Sequence, residues 1–331
     1  MQAVKSFSLR VRILLAIVSI AGLFVMMQRI QAKAVAAAFD SIHWGWFFLA
    51  LAAFGGVFVP AGLRWRVALQ SAGSSIGTGA AGRISLIGHF FYTIFFGAVG
   101  GDTAKSLLYS RWHDVPLAKT LAASSLDRIL GFAGLIVFVG VSLLIGIDQG
   151  GADRLGDASF KWPLWGVLVL AVVVGSVIFW LKRSSRESFQ RLFVKTLGAS
   201  IAALTKRPRQ FLIGIACGVA VQAALSAVLI GCLAATTSGN VPWAEMAWTF
   251  PVITIISALP VTFAGLGVRD SAAVVLFGFY QISPSHAVAA SLLAAAVSLT
   301  WAVAGAGLLW WEASRRDSRA EIKELMAIAP R

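Results

Sequence analysis

The sequence predicts an all-α polytopic membrane protein. It should hold about six full transmembrane helices plus two oppositely oriented re-entrant helical hairpins, arranged as an inverted repeat. Three observations predict this. The 331 residues are 58% hydrophobic and only 13% charged, with a mean hydropathy of +0.82. A soluble domain runs at about 45–50% and about 25%. Apolar runs near the ~20 residues of a membrane span recur along the chain. Lys and Arg concentrate in alternate loops. Soluble globular and disordered classes are excluded, and residues 1–331 read as one integral-membrane domain.

The first apolar run, Ile13 to Met27, follows Lys5, Arg10 and Arg12. It reads as a retained anchor, with Ala34-Val35-Ala36 as a small-residue cleavage site in the alternative reading as a signal peptide. The second span runs from Trp44 to about Gly62 and ends at Arg64-Trp65-Arg66. The third is Ala118 to Gly146 and the fourth Trp162 to Leu181. Phe211 to about Ala235 and Ala287 to Trp311 complete the six. Trp44, Trp46, Trp162, Trp310 and Trp311 cluster near span ends, as an interfacial belt does.

Two regions do not fit a simple crossing. From Ile84 to Arg111 the first apolar stretch stops at Gly97, passes Gly100-Gly101-Asp102 and resumes at Ser106. Ile84 to Gly97 would be only ~21 Å long as a helix, short of a ~30 Å hydrocarbon core. From Trp243 to Gln281 the chain breaks at Pro260 and at Gly265-Leu266-Gly267, then resumes at Ala272. Non-helical backbone at membrane depth survives only inside protein or beside a wet cavity. Both regions therefore read as re-entrant pairs of half-helices.

Charge sets the topology. With both hairpins returning to their own side, segments 1–12, 64–83, 105–119, 182–209 and 312–331 are cytoplasmic and hold 22 of the 28 Lys and Arg. A single crossing at Ile84–Gly97 would instead put the eight cations of 182–209 outside, against the positive-inside rule. Both termini are thus expected in the cytoplasm, with 312–331 a short tail. The first hairpin dips from the cytoplasm and the second from outside. Such breaks in corresponding halves mark the binding region of inverted-repeat transporters. The net charge of +14 reads as cytoplasmic loops facing anionic lipid, not as a nucleic-acid footprint.

Several residues carry candidate chemistry. In Gly100-Gly101-Asp102-Thr103-Ala104-Lys105, Asp102 suits the N-cap of a half-helix starting near Thr103. Glycine-turn amides at a helix N-terminus attract anions, and Lys105 adds a cation. Gly265, Gly267, Arg269 and Asp270 repeat that setting in the second hairpin, and a guanidinium fork matches phosphate oxygens. Together these residues read as a phosphate-headgroup site near the midplane. Asp127-Arg128 lies about ten residues into the third span, where ionisable groups face the interior. Helix neighbours point ~100° apart, so each needs its own partner. Candidates are Asp102 or Asp270 for Arg128, and Lys105 or Arg269 for Asp127.

Other motifs read as structural. Gly77-Thr-Gly79-Ala-Ala-Gly82 lacks the preceding strand that a dinucleotide site requires. Phe189, Phe193, Leu197, Ile201 and Leu204 recur at helical spacing within 182–209, either as an interfacial amphipathic helix or as a basic cytoplasmic loop. Gly214-x-x-x-Gly218 serves helix packing inside the chain. His89 reads as a satisfied polar residue of the bundle. No metal set, cofactor motif or nucleophile site stands out, so no enzyme activity is expected.

Three ordered motifs carry a resemblance. They are Leu86-Ile-Gly-His-Phe-Phe91 leading to Gly100-Gly101-Asp102 and Lys105, Leu126-Asp-Arg-Ile-Leu-Gly131, and Ala258-Leu-Pro-Val-Thr-Phe-Ala-Gly-Leu-Gly-Val-Arg-Asp270. Over roughly 10–312 the chain resembles the lysylphosphatidylglycerol synthase transmembrane-region family, the flippase-like domain also found in the multiple peptide resistance factor. Phe96-Gly97 stands where the family usually has Pro-Gly, and Arg269-Asp270 where it usually has Arg-Glu. The resemblance implies the lipid-handling half without the aminoacyl-transferase half. The expected function is binding and translocation of an anionic-headgroup lipid across the plasma membrane. The alternative is a non-transporting scaffold or accessory subunit that presents lipid to a lipid-modifying partner enzyme.

Overall fold

The computed structural model describes residues 42–94, 97–146, 187–237, 241–257 and 268–328. The first and fourth predicted spans, Pro260, Gly265 and Gly267 lie outside these residues. The described residues form ten helices and no strand. Four helices are long and apolar enough to cross a membrane.

The first of these, α1 (Trp44–Ser71), runs ~42 Å. It does not stop near Gly62 but carries Arg64, Trp65 and Arg66 inside the helix. It ends where Gly73, at φ 76°, permits a left-handed turn. There the Gly73 and Ser74 amides donate to the carbonyls of Gln70 and Leu69.

Next comes an antiparallel pair, α2 (Thr78–Ile94) and α3 (Gly97–His113). The register is fixed by missing side chains. A Cβ on Gly101 would sit 2.8 Å from the Gly88 carbonyl oxygen and 3.0 Å from Tyr92 Cβ. This corrects the reading of Gly100-Gly101-Asp102 as a turn. Helix α3 already starts at Gly97, so Asp102 is a helix-interior residue and not an N-cap. The glycine serves close helix approach. The other glycine motif behaves likewise: a Cβ on Gly62 would lie 2.6 Å from the Gly82 amide nitrogen.

Helix α4 (Leu117–Gly146) returns beside α1. After α5 (Glu187–Thr205) the chain enters α6 (Pro208–Thr236), which packs on α1 and α4. At the α4–α6 crossing, a Cβ on Gly134 would lie 2.5 Å from Gly218 Cα. Gly214-x-x-x-Gly218 thus packs within the chain. On α5, Phe193, Leu197 and Leu204 turn inward, whereas Ile201 faces out, so the expected apolar stripe holds only in part. Arg191 and Lys195 are exposed.

A single-turn helix α7 (Trp243–Met246) precedes a second pair, α8 (Thr249–Ser257) and α9 (Val268–Gly278). Phe250 packs on Phe277 at 5.9 Å, and Trp248 donates to the Tyr280 hydroxyl at 2.8 Å. The 45-residue α10 (Pro284–Ile328) then runs the length of the bundle. Four of its residues, spaced by seven, meet both pairs. Ser291 binds Arg269 of α9, and Ser298 meets His89 of α2. A Cβ on Gly305 would touch the Leu86 carbonyl at 2.5 Å, and Glu312 pairs with Arg83 at 2.9 Å.

Each pair opens toward a different end of the bundle. The α2–α3 pair opens where α1 ends and α4 begins. The α8–α9 pair opens beside the end of α6 and the start of α10. At that second end the His43 amide donates to the Ala235 carbonyl, tying the start of α1 to the end of α6.

Candidate functional site

Five charged side chains from α1, α3 and α4 meet in one network. Asp127 is its centre. Its Oδ1 accepts from Arg64 Nε at 2.7 Å, and its Oδ2 faces Lys105 Nζ at 3.4 Å. Lys105 also faces Asp102 Oδ1 at 3.5 Å, one helical turn back on α3. Arg128 Nε donates to the other Asp102 oxygen. Asp127 and Arg128 therefore turn to different partners, as neighbours on a helix must. Of the pairs expected, Asp127 with Lys105 and Arg128 with Asp102 are the ones formed.

The surroundings hold these groups in place. Trp65 covers the Lys105 ammonium at 4.9 Å from its ring centroid and donates to Ser124 Oγ at 3.2 Å. Ser124 in turn shares a 2.8 Å hydrogen bond with Ser106 of α3. Tyr109 packs edge-on against Trp65 and donates to the Ser75 carbonyl at 2.9 Å.

Arg64 is a member of this network that the sequence alone does not single out, because it stands where an apolar run ends. A signal was present. Gly131 lies one turn beyond Asp127 on α4, and a Cβ there would sit 2.7 Å from Arg64 Nη1. The absent side chain makes room for the guanidinium.

Among the described residues, three cations against two carboxylates leave a balance of +1. Most of this charge is shielded, with side chains of Arg64, Lys105 and Asp127 only 11%, 8% and 4% exposed. Arg128 is the exception at 44%. It lies next to Ile129, the first large apolar side chain exposed on α4. The exposed apolar residues then continue through Ile136, Val137, Val141, Leu144 and Ile145. Arg128 thus sits at the edge of this band and reaches toward Asp102.

Among the described residues, the second cluster is electrically neutral. Arg269 donates from Nε to Ser291 Oγ at 2.8 Å and from Nη2 to the Ser291 carbonyl at 2.9 Å. Ser291 Oγ donates to Asp270, which also faces Arg269 Nε at 3.8 Å. Asp270 is fully buried. Ser291 was not foreseen. Neither Arg269 nor Asp270 reaches Asp127 or Arg128 through a direct ion pair.

Residues 11–307 match the family model described as the lysylphosphatidylglycerol synthase TM region. The chain belongs to this family. No curated protein matches it. In this member of the lysylphosphatidylglycerol synthase TM region family, each of the motifs quoted from the sequence has described residues at a charge cluster or a helix contact. Asp127, Arg128 and Gly131 build the first cluster, with Asp102 and Lys105 from α3. Gly88 and His89 join α2 to α3 and α10. Arg269 and Asp270 build the second cluster.

Proposed function

We propose that the protein binds a lipid with an anionic headgroup and translocates it across the plasma membrane. One observation carries the reading: a network of net charge +1 among the described residues leaves the Arg128 side chain 44% exposed beside a run of exposed apolar residues. Charged groups at membrane depth are costly and are retained where function uses them. Excess positive charge beside an apolar surface attracts an anionic headgroup, and the fork of arginine fits phosphate oxygens. A phosphatidylglycerol derivative and a polyprenyl-phosphate-linked lipid both carry that group. Membership of a membrane lipid-related family supports the same class of ligand.

The two helix pairs support movement of the headgroup. Each arm of the first pair has 17 residues, ~25 Å, less than a ~30 Å core. Because the pairs open toward opposite ends, we read both as re-entrant, the first from the cytoplasm. The 22 cations of the segments read as cytoplasmic favour both termini on that side. The protein acts as a carrier and not as an enzyme.

The test uses purified protein. Native mass spectrometry reads lipid retained from phosphatidylglycerol-containing membranes. Liposomes with acyl-chain-labelled phosphatidylglycerol, quenched from outside, read translocation. Retention with translocation is expected. Retention without translocation would replace the carrier by a scaffold that presents lipid to a partner enzyme. Absence of both would refute the lipid reading.

A further inference from the structure

Between Glu187 and Glu245 the sequence has no acidic residue, while Arg191, Lys195, Lys206, Arg207 and Arg209 fall within α5 or just after it. All of these cations are exposed. Packing shows how α5 lies. A Cβ on Gly214 would sit 2.8 Å from Leu130 Cδ1, and one on Gly134 would sit 2.5 Å from Gly218 Cα. Helices α4 and α6 therefore run side by side in the same direction, with Gly214 at the level of Leu130. Arg207, just before α6, then falls at the level of Ala123. Phe193 clusters with Ala118 and Ala122, in the first turns of α4. From Phe193 to Leu204 helix α5 covers ~16 Å, yet it advances only about one turn along α4. It crosses the feet of α4 and α6 instead of running along them. The exposed apolar residues of those two helices begin just beyond, at Ile129 and Phe211.

At ~100° per residue the crossing helix has three sides. Phe193, Leu197 and Leu204 face inward. Roughly a quarter-turn away lie Val194 and Ile201, 58% and 40% exposed. Roughly a quarter-turn further lie Arg191 and Lys195. An apolar flank beside a cationic one, on a helix lying across the bundle, is the pattern of a helix in a membrane interface. We propose that α5 lies in the headgroup layer of the leaflet where α4 and α6 begin, with Val194 and Ile201 in the acyl boundary and its cations gathering anionic phospholipid. A lipid surface satisfies both flanks together. An acidic soluble protein would match the cations and leave the apolar flank, at the edge of the apolar band, without a partner. The gathered lipid exchanges freely, because each exposed cation holds an anionic lipid only a few-fold above its bulk share. This surface is separate from Arg128, and it stands whether or not lipid is translocated.

The experiment uses the full-length protein without Cys217 and Cys232, with Val194→Cys carrying an environment-sensitive fluorophore. It is reconstituted in phosphatidylcholine vesicles with a minor share of phosphatidylglycerol, and either lipid is supplied with brominated acyl chains as quencher. The label should emit as in an apolar medium and be quenched by both brominated lipids. Phosphatidylglycerol should quench about fivefold more than its share of the bilayer predicts, the scale of one cation beside an anionic lipid. High salt should weaken that preference in the same protein. The combined change Lys195→Gln, Lys206→Gln and Arg207→Gln should abolish it, with thermal melting as the check on folding, while Arg128→Gln should keep it. Quenching in simple proportion to the two lipids, or a preference indifferent to salt, would overturn the proposal. So would a label that emits as in water and is quenched by neither lipid, which would leave α5 to a soluble acidic partner. Loss of the preference in Arg128→Gln, with the combined variant unchanged, would return it to the Arg128 network and overturn a separate surface. None of these readouts requires translocation, so a protein that fails to move lipid still tests the surface.

Discussion

Asp127→Asn tests the network at its centre. The change keeps the shape of the side chain and removes its charge. In the native protein one carboxylate serves Arg64 at 2.7 Å and Lys105 at 3.4 Å. Without it, Asp102 is the remaining carboxylate among the described residues of the network, whose balance rises from +1 to +2. Arg64 and Lys105 are 11% and 8% exposed, so water screens them poorly. Removing one partner of a buried ion pair costs about 3–5 kcal/mol. That is more than a hundredfold in the folding equilibrium, since each ~1.4 kcal/mol is tenfold. The assay is mixed-micelle denaturation followed by circular dichroism, with Arg64→Gln and the double variant alongside. Arg64→Gln should cost less, because Lys105 still neutralises Asp127. The double variant should be no worse than Asp127→Asn alone, giving a coupling of about 1–3 kcal/mol. A loss below about 1 kcal/mol for Asp127→Asn, with additive effects in the double variant, would refute a shielded network.

Other changes separate packing, hydrogen bonding, topology and ligand binding. Gly134→Ala should destabilise by about 1–3 kcal/mol, because its Cβ would lie 2.5 Å from Gly218 Cα and both helix backbones would have to part. Gly140→Ala, with nothing within 4 Å, should be neutral or gain up to about 1 kcal/mol of helix propensity, read in the same denaturation assay. Trp248→Phe loses its 2.8 Å hydrogen bond to Tyr280 and should cost about 1 kcal/mol, whereas the exposed Trp243→Phe should cost nearly nothing. In a background without Cys217 and Cys232, a cysteine at Ser75 should label from the cytoplasm and one at Gln281 from outside. The reverse pattern would invert the topology. Arg128→Gln should reduce phosphatidylglycerol retention about tenfold by mass spectrometry, the scale of one charge-assisted contact, while the exposed Arg191→Gln on α5 should not.

Much of this architecture was legible in the sequence. The apolar run from Trp44, the long runs after Ala118, Phe211 and Ala287, and the breaks between them reflect hydrophobic length, a local property of the chain. Asp127 and Arg128 announced themselves as charges in an apolar run, and their ~100° separation foretold two different partners. The pairs with Lys105 and Asp102 were among the candidates for that reason. Gly100-Gly101-Asp102 was misread because a glycine pair has two uses. It can end a helix, or it can let a second helix come close, and only the neighbour decides. Here Gly88 and Tyr92 lie against Gly101, so the helix runs on through Asp102. Arg64 shows the same division. Its position at the end of an apolar run is a sequence property, but its role depends on Asp127, sixty-three residues away, and on the gap at Gly131. Hydropathy and helix period act along the chain and can be read from it. Charge pairing and close helix contact act across it, over distances of a few ångströms that exist only once the helices have packed.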